Sequence, residues 1–574
     1  MIGGTTGKIG AAAKQTAQMA RYPAPSGGMD VRAGMAVADP NLSVYAYNLI
    51  ARDYGLTVRK GYRQWASSLD NGLGVGVHSL ISFDGIEENG VSNKVFGVTN
   101  EGIWDATSKS DANTAGRLVY TFTNQQANSG YGVYTQFVTD AGEESLFYAD
   151  NVNGLVEYSL PLGTWSVPNI SSAPSNPALD ISKVAFVTMH KSKLWMVESD
   201  SDKAFYLPDG AKQGAHASAI YFGSKFPHGG NVEALYSWSV DGGNGLTDYL
   251  IVVSRSGDIL VYSGDDPNVA DSSTGLEPWR LVGRYFVGEV PRGNSFCAEH
   301  AGDLYILSVN GLNSMNALLQ GVDSAVTNLS ASNTSPSAKI SSLLRREITK
   351  TIGDYGWSVS LLPAEGGILI TSPTEGGKRP VQYFYALDTA SWSMWRDAPI
   401  ACVSSFNKIT VMGSYYGDVC FMDVHADNVR EDPNDPSAIL QHDILWSVLT
   451  SFLPLSGEGV YKHITFIRPD ILAMGQPEYV CVSRYDYNVT EAHDAGLVTR
   501  PRTDGDVWGI NAADLDAAVW GTAVWAGGGQ RPYNSVIGAR GYGRYAAIAM
   551  QGVSRSATTI IGWDVAHTTG GAFL

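Results

Sequence analysis

The residues that could do chemistry in this chain are few, and their spacing fits none of the usual reactions. Gly3-Gly4-Thr5-Thr6-Gly7-Lys8-Ile9 has the outline of a phosphate-cradling loop, but Ile9 stands where a Ser or Thr would hold magnesium, and no strand pattern precedes it. Gly72–Gly76 lacks the third glycine of a dinucleotide turn at the needed spacing. His425 with Asp427, and His442 with Asp443, are pairs too short for a metal site, and the other histidines are dispersed. Cys297, Cys402, Cys420 and Cys481 lie far apart with no CxxC, so they form neither a zinc site nor a disulfide framework. Four cysteines in so long a chain suit assembly in a reducing cytoplasm. HExxH, GxSxG and an EF-hand ligand series are all missing. The sequence predicts no catalytic, cofactor-binding or metal-binding residues, and no cofactor.

These scattered groups ride on a scaffold that the composition describes well. Of 574 residues, 44% are hydrophobic and 17% charged, enough apolar matter for a large core and too little charge for disorder. Gly 64 and Pro 24, with aromatics at 10%, point to many short strands and turns. No run of about 18 uncharged apolar residues predicts a membrane-spanning helix. Lys and Arg number 39 against 56 Asp and Glu, a net charge of −17 that argues against tight wrapping of nucleic acid. Residues 1–45 lack the apolar segment of a secretory signal; the expectation is a flexible arm, weakly helical over Lys8–Arg21 and ordered by a partner.

One pattern recurs: an apolar run, a turn containing Gly, and a second apolar run. Clear copies turn at Gly102, Gly154, Gly257, Gly311 and Gly417, at single or double intervals of about 53 residues. Weaker copies near Ser201 and Gly376 fill the gaps and make seven units. Gly and Asn at the turns supply the positive φ that a tight hairpin needs. Many units have an apolar strand upstream. Several have an outer strand bearing Trp downstream, as at Trp165, Trp279 and Trp392. Four strands in about 50 residues make a propeller blade. The fold expected is all-β: a β-propeller of about seven four-stranded blades (six to eight) with a C-terminal β-sandwich domain. A linear solenoid is the rival architecture.

The last unit has no outer strand of its own, and an orphan strand at residues 55–65 precedes the first. We therefore expect a propeller over 46–425 closed by strand 55–65, so that no edge stays open. The fifth unit is irregular, with Ile340, Leu343, Leu344, Ile348 and Ile352 predicting a helical insertion near 338–352. Its Lys339, Arg345, Arg346 and Lys350 make it locally basic: a solvated helix plugging a missing strand, or a salt-sensitive contact with a neighbour or phosphate. Residues 426–439 read as an acidic linker and 440–574 as the sandwich, which carries a Trp-rich loop at Trp508, Trp520 and Trp525.

A propeller with Trp-bearing outer strands invites comparison with glycosidases of the sialidase type. Leu387–Trp395 weakly echoes their Asp-box turn but lacks its Gly, and Arg59, Arg63, Arg280 and Arg396 are the candidates for an arginine trio. Nothing in the sequence brings these together.

The opening Pro25–Ala66, above all Asn48-Leu49-Ile50 followed by Gly55–Tyr62, resembles the start of the tail nozzle, or tail tubular, proteins of short-tailed (podovirus-type) phages. Val381–Asp423, Thr450–Ile471 and Ser483–Asn488 are similar to later parts of the same family, so the resemblance covers most of the chain. It implies a structural virion protein of the phage tail, with no enzymatic activity, assembled in the bacterial cytoplasm. Such proteins form a homo-hexameric conduit for DNA ejection. The implied partners are a tail adaptor ring towards the portal, tail fibres or spikes, genomic DNA passing through the lumen, and the host envelope at the distal end. The negative charge agrees, because a lumen of that sign repels phosphate and lets duplex slide. A host-receptor adhesin that stacks glycans on aromatic rings is the alternative. A glycosidase-like propeller enzyme is the third.

Overall fold

The computed structural model of the protein describes residues 17–32, 39–69, 75–83, 93–110, 117–160, 162–241, 246–269, 277–293, 295–319, 335–373, 380–432, 435–475, 477–492 and 531–570. The phosphate-loop look-alike at Gly3–Ile9 and the Trp508–Trp525 loop lie outside these residues.

Seven small antiparallel sheets follow one another around an axis. Their innermost strands are Ser79–Phe83, Gly132–Val138, Val184–His190, Val232–Asp241, Cys297–His300, Ser358–Leu362 and Ile400–Phe406. Each is the terminal strand of its sheet, and the seventh packs back against the first, so the array closes as a ring. We number the sheets sectors 1 to 7. Six are four-stranded blades. The fifth has only three strands, Cys297–His300, Asp303–Ser308 and Gly311–Ser314, so the four-stranded blades number six, at the lower end of the expected six to eight.

The place of the missing strand in sector 5 is taken by helix, as the apolar spacing predicts. The segment Ser341–Thr351 is α-helical and turns Leu344 and Ile348, both fully buried, into the main core. Ser337 at its approach accepts the Leu312 N–H, and the Pro336 carbonyl accepts from Trp392 of sector 6.

The turn glycines behave as the hairpins require. Gly154, Gly257, Gly311 and Gly417 have φ of +76°, +92°, +110° and +86°. A Cβ on Gly257 would also lie 1.9 Å from the Gly288 carbonyl oxygen, so both conformation and space demand glycine there.

Closure of the ring departs from the sequence reading in its boundaries. Sector 7 takes its fourth strand from Gly61–Ala66, which runs antiparallel to Val419–Val424. Residues Gly55–Val58 do not join it. They form a hairpin with Leu49–Arg52 and pair with Thr558–Thr569 in the C-terminal sheet. The segment expected as an acidic linker is a second hairpin, Asp427–Asp432 with Asp435–His442, laid beside Gly61–Ala66. Nor is the sandwich confined to 440–574. Gln18–Pro23 pairs along Thr558–Thr569, so the supposed arm is here a strand and Arg21 is not helical. Ser43–Tyr47 lies between Ser391–Trp395 of sector 6 and Ile444–Thr450. One sheet of the sandwich is thus continuous with a blade, and both ends of the chain build it.

Candidate functional site

Polar side chains gather among buried strands at the joint between propeller and sandwich and at the axis of the ring.

The joint is built from the segment that carries the family resemblance. Asn48 holds φ +56°, a left-handed conformation that Asn tolerates better than most residues. Its amide Nδ2 donates to the Leu445 carbonyl at 2.7 Å. Its Oδ1 accepts from Arg59 Nε at 3.0 Å and from the Arg396 N–H at 2.8 Å. Arg59 then reaches Asp427 through both Nη atoms, at 2.8 and 2.7 Å, with its side chain fully buried. Burial disfavours that charge, but the Asp427 carboxylate outweighs it and holds the guanidinium pKa above its usual value. Two residues on, Gly61 passes so close to Ala426 that a Cβ would sit 2.0 Å from its carbonyl oxygen. Nothing in the composition signals that Asp427, set aside with His425 as too short a pair for a metal, is the partner of Arg59.

The other arginines are dispersed. Arg63 forks onto Asp423 and lies over the rings of Phe421 and Trp65. Arg280 sits on the exposed outer strand of sector 4 and donates to Ser263. Arg396 caps Tyr47 and pairs with Glu491. No carboxylate-binding trio forms from them. The Asp-box echo is an outer hairpin of sector 6, where Asp388 pairs with Arg52. Asp443 pairs with Arg555, and among the described residues no cluster of His, Cys, Asp and Glu could hold a metal. The basic helix is largely engaged as well. Lys339 donates to the Gly27 carbonyl, Arg345 to Asn310, and Arg346 and Lys350 flank Glu347.

The axis is a chamber of about 300 Å³ lined by residues on or beside all seven innermost strands. Its wall is stitched at the seams between sectors. Ser79 donates to the Gly130 carbonyl, and Ser82 meets both Tyr134 and Ser404 at 2.9 and 3.1 Å. Across the closing seam Cys402 donates to the Val77 carbonyl. His190 bridges to Ser237, and Val359 donates to the Ser295 carbonyl. His78 lies parallel to Tyr131, ring centroids 4.1 Å apart, with Nδ1 at 2.8 Å from the Ser129 carbonyl. That carbonyl can only accept, so Nδ1 carries the proton. Burial pushes the His78 pKa down to about 4, so the ring is neutral at physiological pH. Burial likewise pushes the Cys402 thiol up to about 12, and Cys297 well above its usual value. Neither thiol is a nucleophile there. The sequence reading missed this chamber because its residues come from seven separate units and share no motif.

No protein-family model and no curated protein matches this chain. Among solved structures, part of the chain is similar to the computationally designed Ika8 protein, with TM-score 0.31 and 9% identity over 62% of this chain and 99% of that one. It is also similar to the extracellular domain of a hybrid two-component system from B. thetaiotaomicron, with TM-score 0.35 and 12% identity over 67% of this chain and 46% of that one.

Proposed function

We propose that this chain is a structural virion protein, a nozzle or tube component of a short phage tail. Six copies would frame a conduit for DNA and a platform for fibres or spikes. The observation that carries this reading is the joint. The stretch that resembles the nozzle family, Asn48–Tyr62, is the one that crosses between propeller and sandwich and ties them through a buried ion pair and shared sheets. A part that transmits force along a tail needs its two bodies fixed to each other, and groups buried at that joint serve no chemistry.

DNA would run between copies, not along the propeller axis, because a chamber of about 300 Å³ is of small-ligand size. Six times −17 gives −102 for the ring, and a lumen of that sign would repel phosphate over roughly a Debye length of 10 Å at 0.1 M salt.

The test is the assembly state of the purified full chain, alone and with the adaptor ring, by native mass measurement and negative-stain imaging. Rings of six support the reading. A monomer or trimer that instead retains labelled host surface would favour the adhesin, and release of reducing sugar would favour an enzyme.

A further inference from the structure

We infer that the axial chamber is a binding site for a neutral pyranose sugar. The argument starts from what the wall lacks. None of the residues lining it is Asp, Glu, Lys or Arg, in a chain whose net charge is −17. An anion would find no cation and a cation no carboxylate, and burying either without a partner is costly. A wholly apolar ligand fits no better. Each innermost strand ends its sheet, so backbone donors and acceptors on its free side face the axis. Ser295 and Ser360 add hydroxyls from sectors 5 and 6. Covering such groups with hydrocarbon leaves them unsatisfied.

A ligand that suits this wall is uncharged and both donates and accepts around its rim. It also has an apolar face for the parallel His78–Tyr131 pair on the opposite side. A pyranose has that pattern: ring C–H groups on its faces and hydroxyls at its edge, each able to donate and accept. The chamber volume is at the lower end of the range for small-molecule sites, as a single sugar unit requires. This inference does not depend on the nozzle reading. The sugar could be free or the terminal unit of a surface glycan.

The test uses the full chain with isotope-labelled histidine and follows the His78 ring resonances during titration with methyl glucoside, methyl galactoside and N-acetylglucosamine, each alone. The same titration with a soluble polysaccharide of whichever sugar binds separates the two sources. Binding by the free sugar alone indicates a free ligand, and binding by both indicates a chain end. We expect saturable shifts at His78 with at least one probe. Ala401→Trp, which fills the chamber from sector 7, should weaken that binding by at least about tenfold. Ser360→Ala removes one lining hydroxyl without added bulk and should weaken it severalfold, a check that holds if the Trp variant does not fold. Unmoved His78 resonances with every probe would overturn the inference, leaving a chamber that holds only water. Shifts unchanged in both variants would overturn it as well.

Discussion

The axial wall and the joint between propeller and sandwich both force distant stretches of chain together, yet they are built from opposite chemistry. At the axis, seven strands meet through hydroxyls, neutral rings and thiols, and no charged residue lines the space. At the joint, two strand crossings meet through a fully buried guanidinium clamped on a carboxylate. The difference follows from repetition. A seam between two blades recurs around the ring, and short neutral contacts fit it wherever the strands converge. The joint occurs once, between segments more than 300 residues apart. There a bidentate ion pair fixes a single geometry, because a misplaced charge in that interior would be left without its partner.

The largest expected effect breaks that asymmetry at the joint. Arg59→Met leaves the buried Asp427 carboxylate without its donor, takes one of two donors from Asn48 Oδ1, and should cost about 3–5 kcal/mol in denaturant-induced unfolding. The double variant Arg59→Met/Asp427→Leu should recover much of the loss, since no lone charge is then buried. If the double variant is as unstable as the single, the pair matters through packing and not through charge.

The next effect belongs to the axis and appears as pH dependence. His78 and His190 each titrate at about 4 in the folded protein, through burial above all, against about 6.5 when unfolded. Below pH about 6.5 the unfolded chain takes up protons that the folded one refuses until about pH 4. Stability should therefore fall across that window, by up to about 3 kcal/mol for each ring. His78→Gln should flatten its share of the loss while leaving stability at pH 8 nearly unchanged. A profile identical to the parent between pH 4 and 7 would show that the axis is wetter than the packing implies.

A third, smaller effect separates close approach from backbone strain alone. Gly257→Val combines positive φ with a clash on the Gly288 carbonyl and should cost more than about 1 kcal/mol. Gly142 has φ +79° with open space around its missing Cβ, so Gly142→Val should cost only the strain, about 1 kcal/mol. Equal thermal shifts for the two would remove the steric part of the turn argument.

These glycines mark how far the sequence was legible. Hairpin turns are local, so the spacing of Gly102, Gly154, Gly257, Gly311 and Gly417 reveals the repeat, and the apolar face of 340–352 reveals the helix. Pairings that depend on distant chain were much less legible. The run 55–65 reads as one strand, but at Lys60–Gly61 the chain leaves the sandwich hairpin and enters sector 7, and no periodicity marks that change of sheet. The Asp-rich stretch after Val424 looks like a linker because strand propensity is low for Asp, Asn and Pro, while pairing beside Gly61–Ala66 overrides propensity. The chamber was illegible for the same reason: its wall is a property of the closed ring.

The smallest expected effect tests whether the hairpin 427–442 is held by its charges or by its strands. Lys109 and Glu431 join it to sector 1 as an ion pair, with side chains 47% and 42% exposed. Water screens such a pair and both side chains lose freedom in making it, so its worth is about 0–1 kcal/mol. The backbone ladder to Gly61–Ala66 and the buried Asp427 do not share that weakness. Lys109→Ala should therefore shift thermal unfolding little, and any shift should vanish in high salt. The hairpin's amides should stay as protected from hydrogen exchange as in the parent. Loss of protection confined to 427–442 would show the reverse, that an exposed charge pair holds what the ladder was expected to hold.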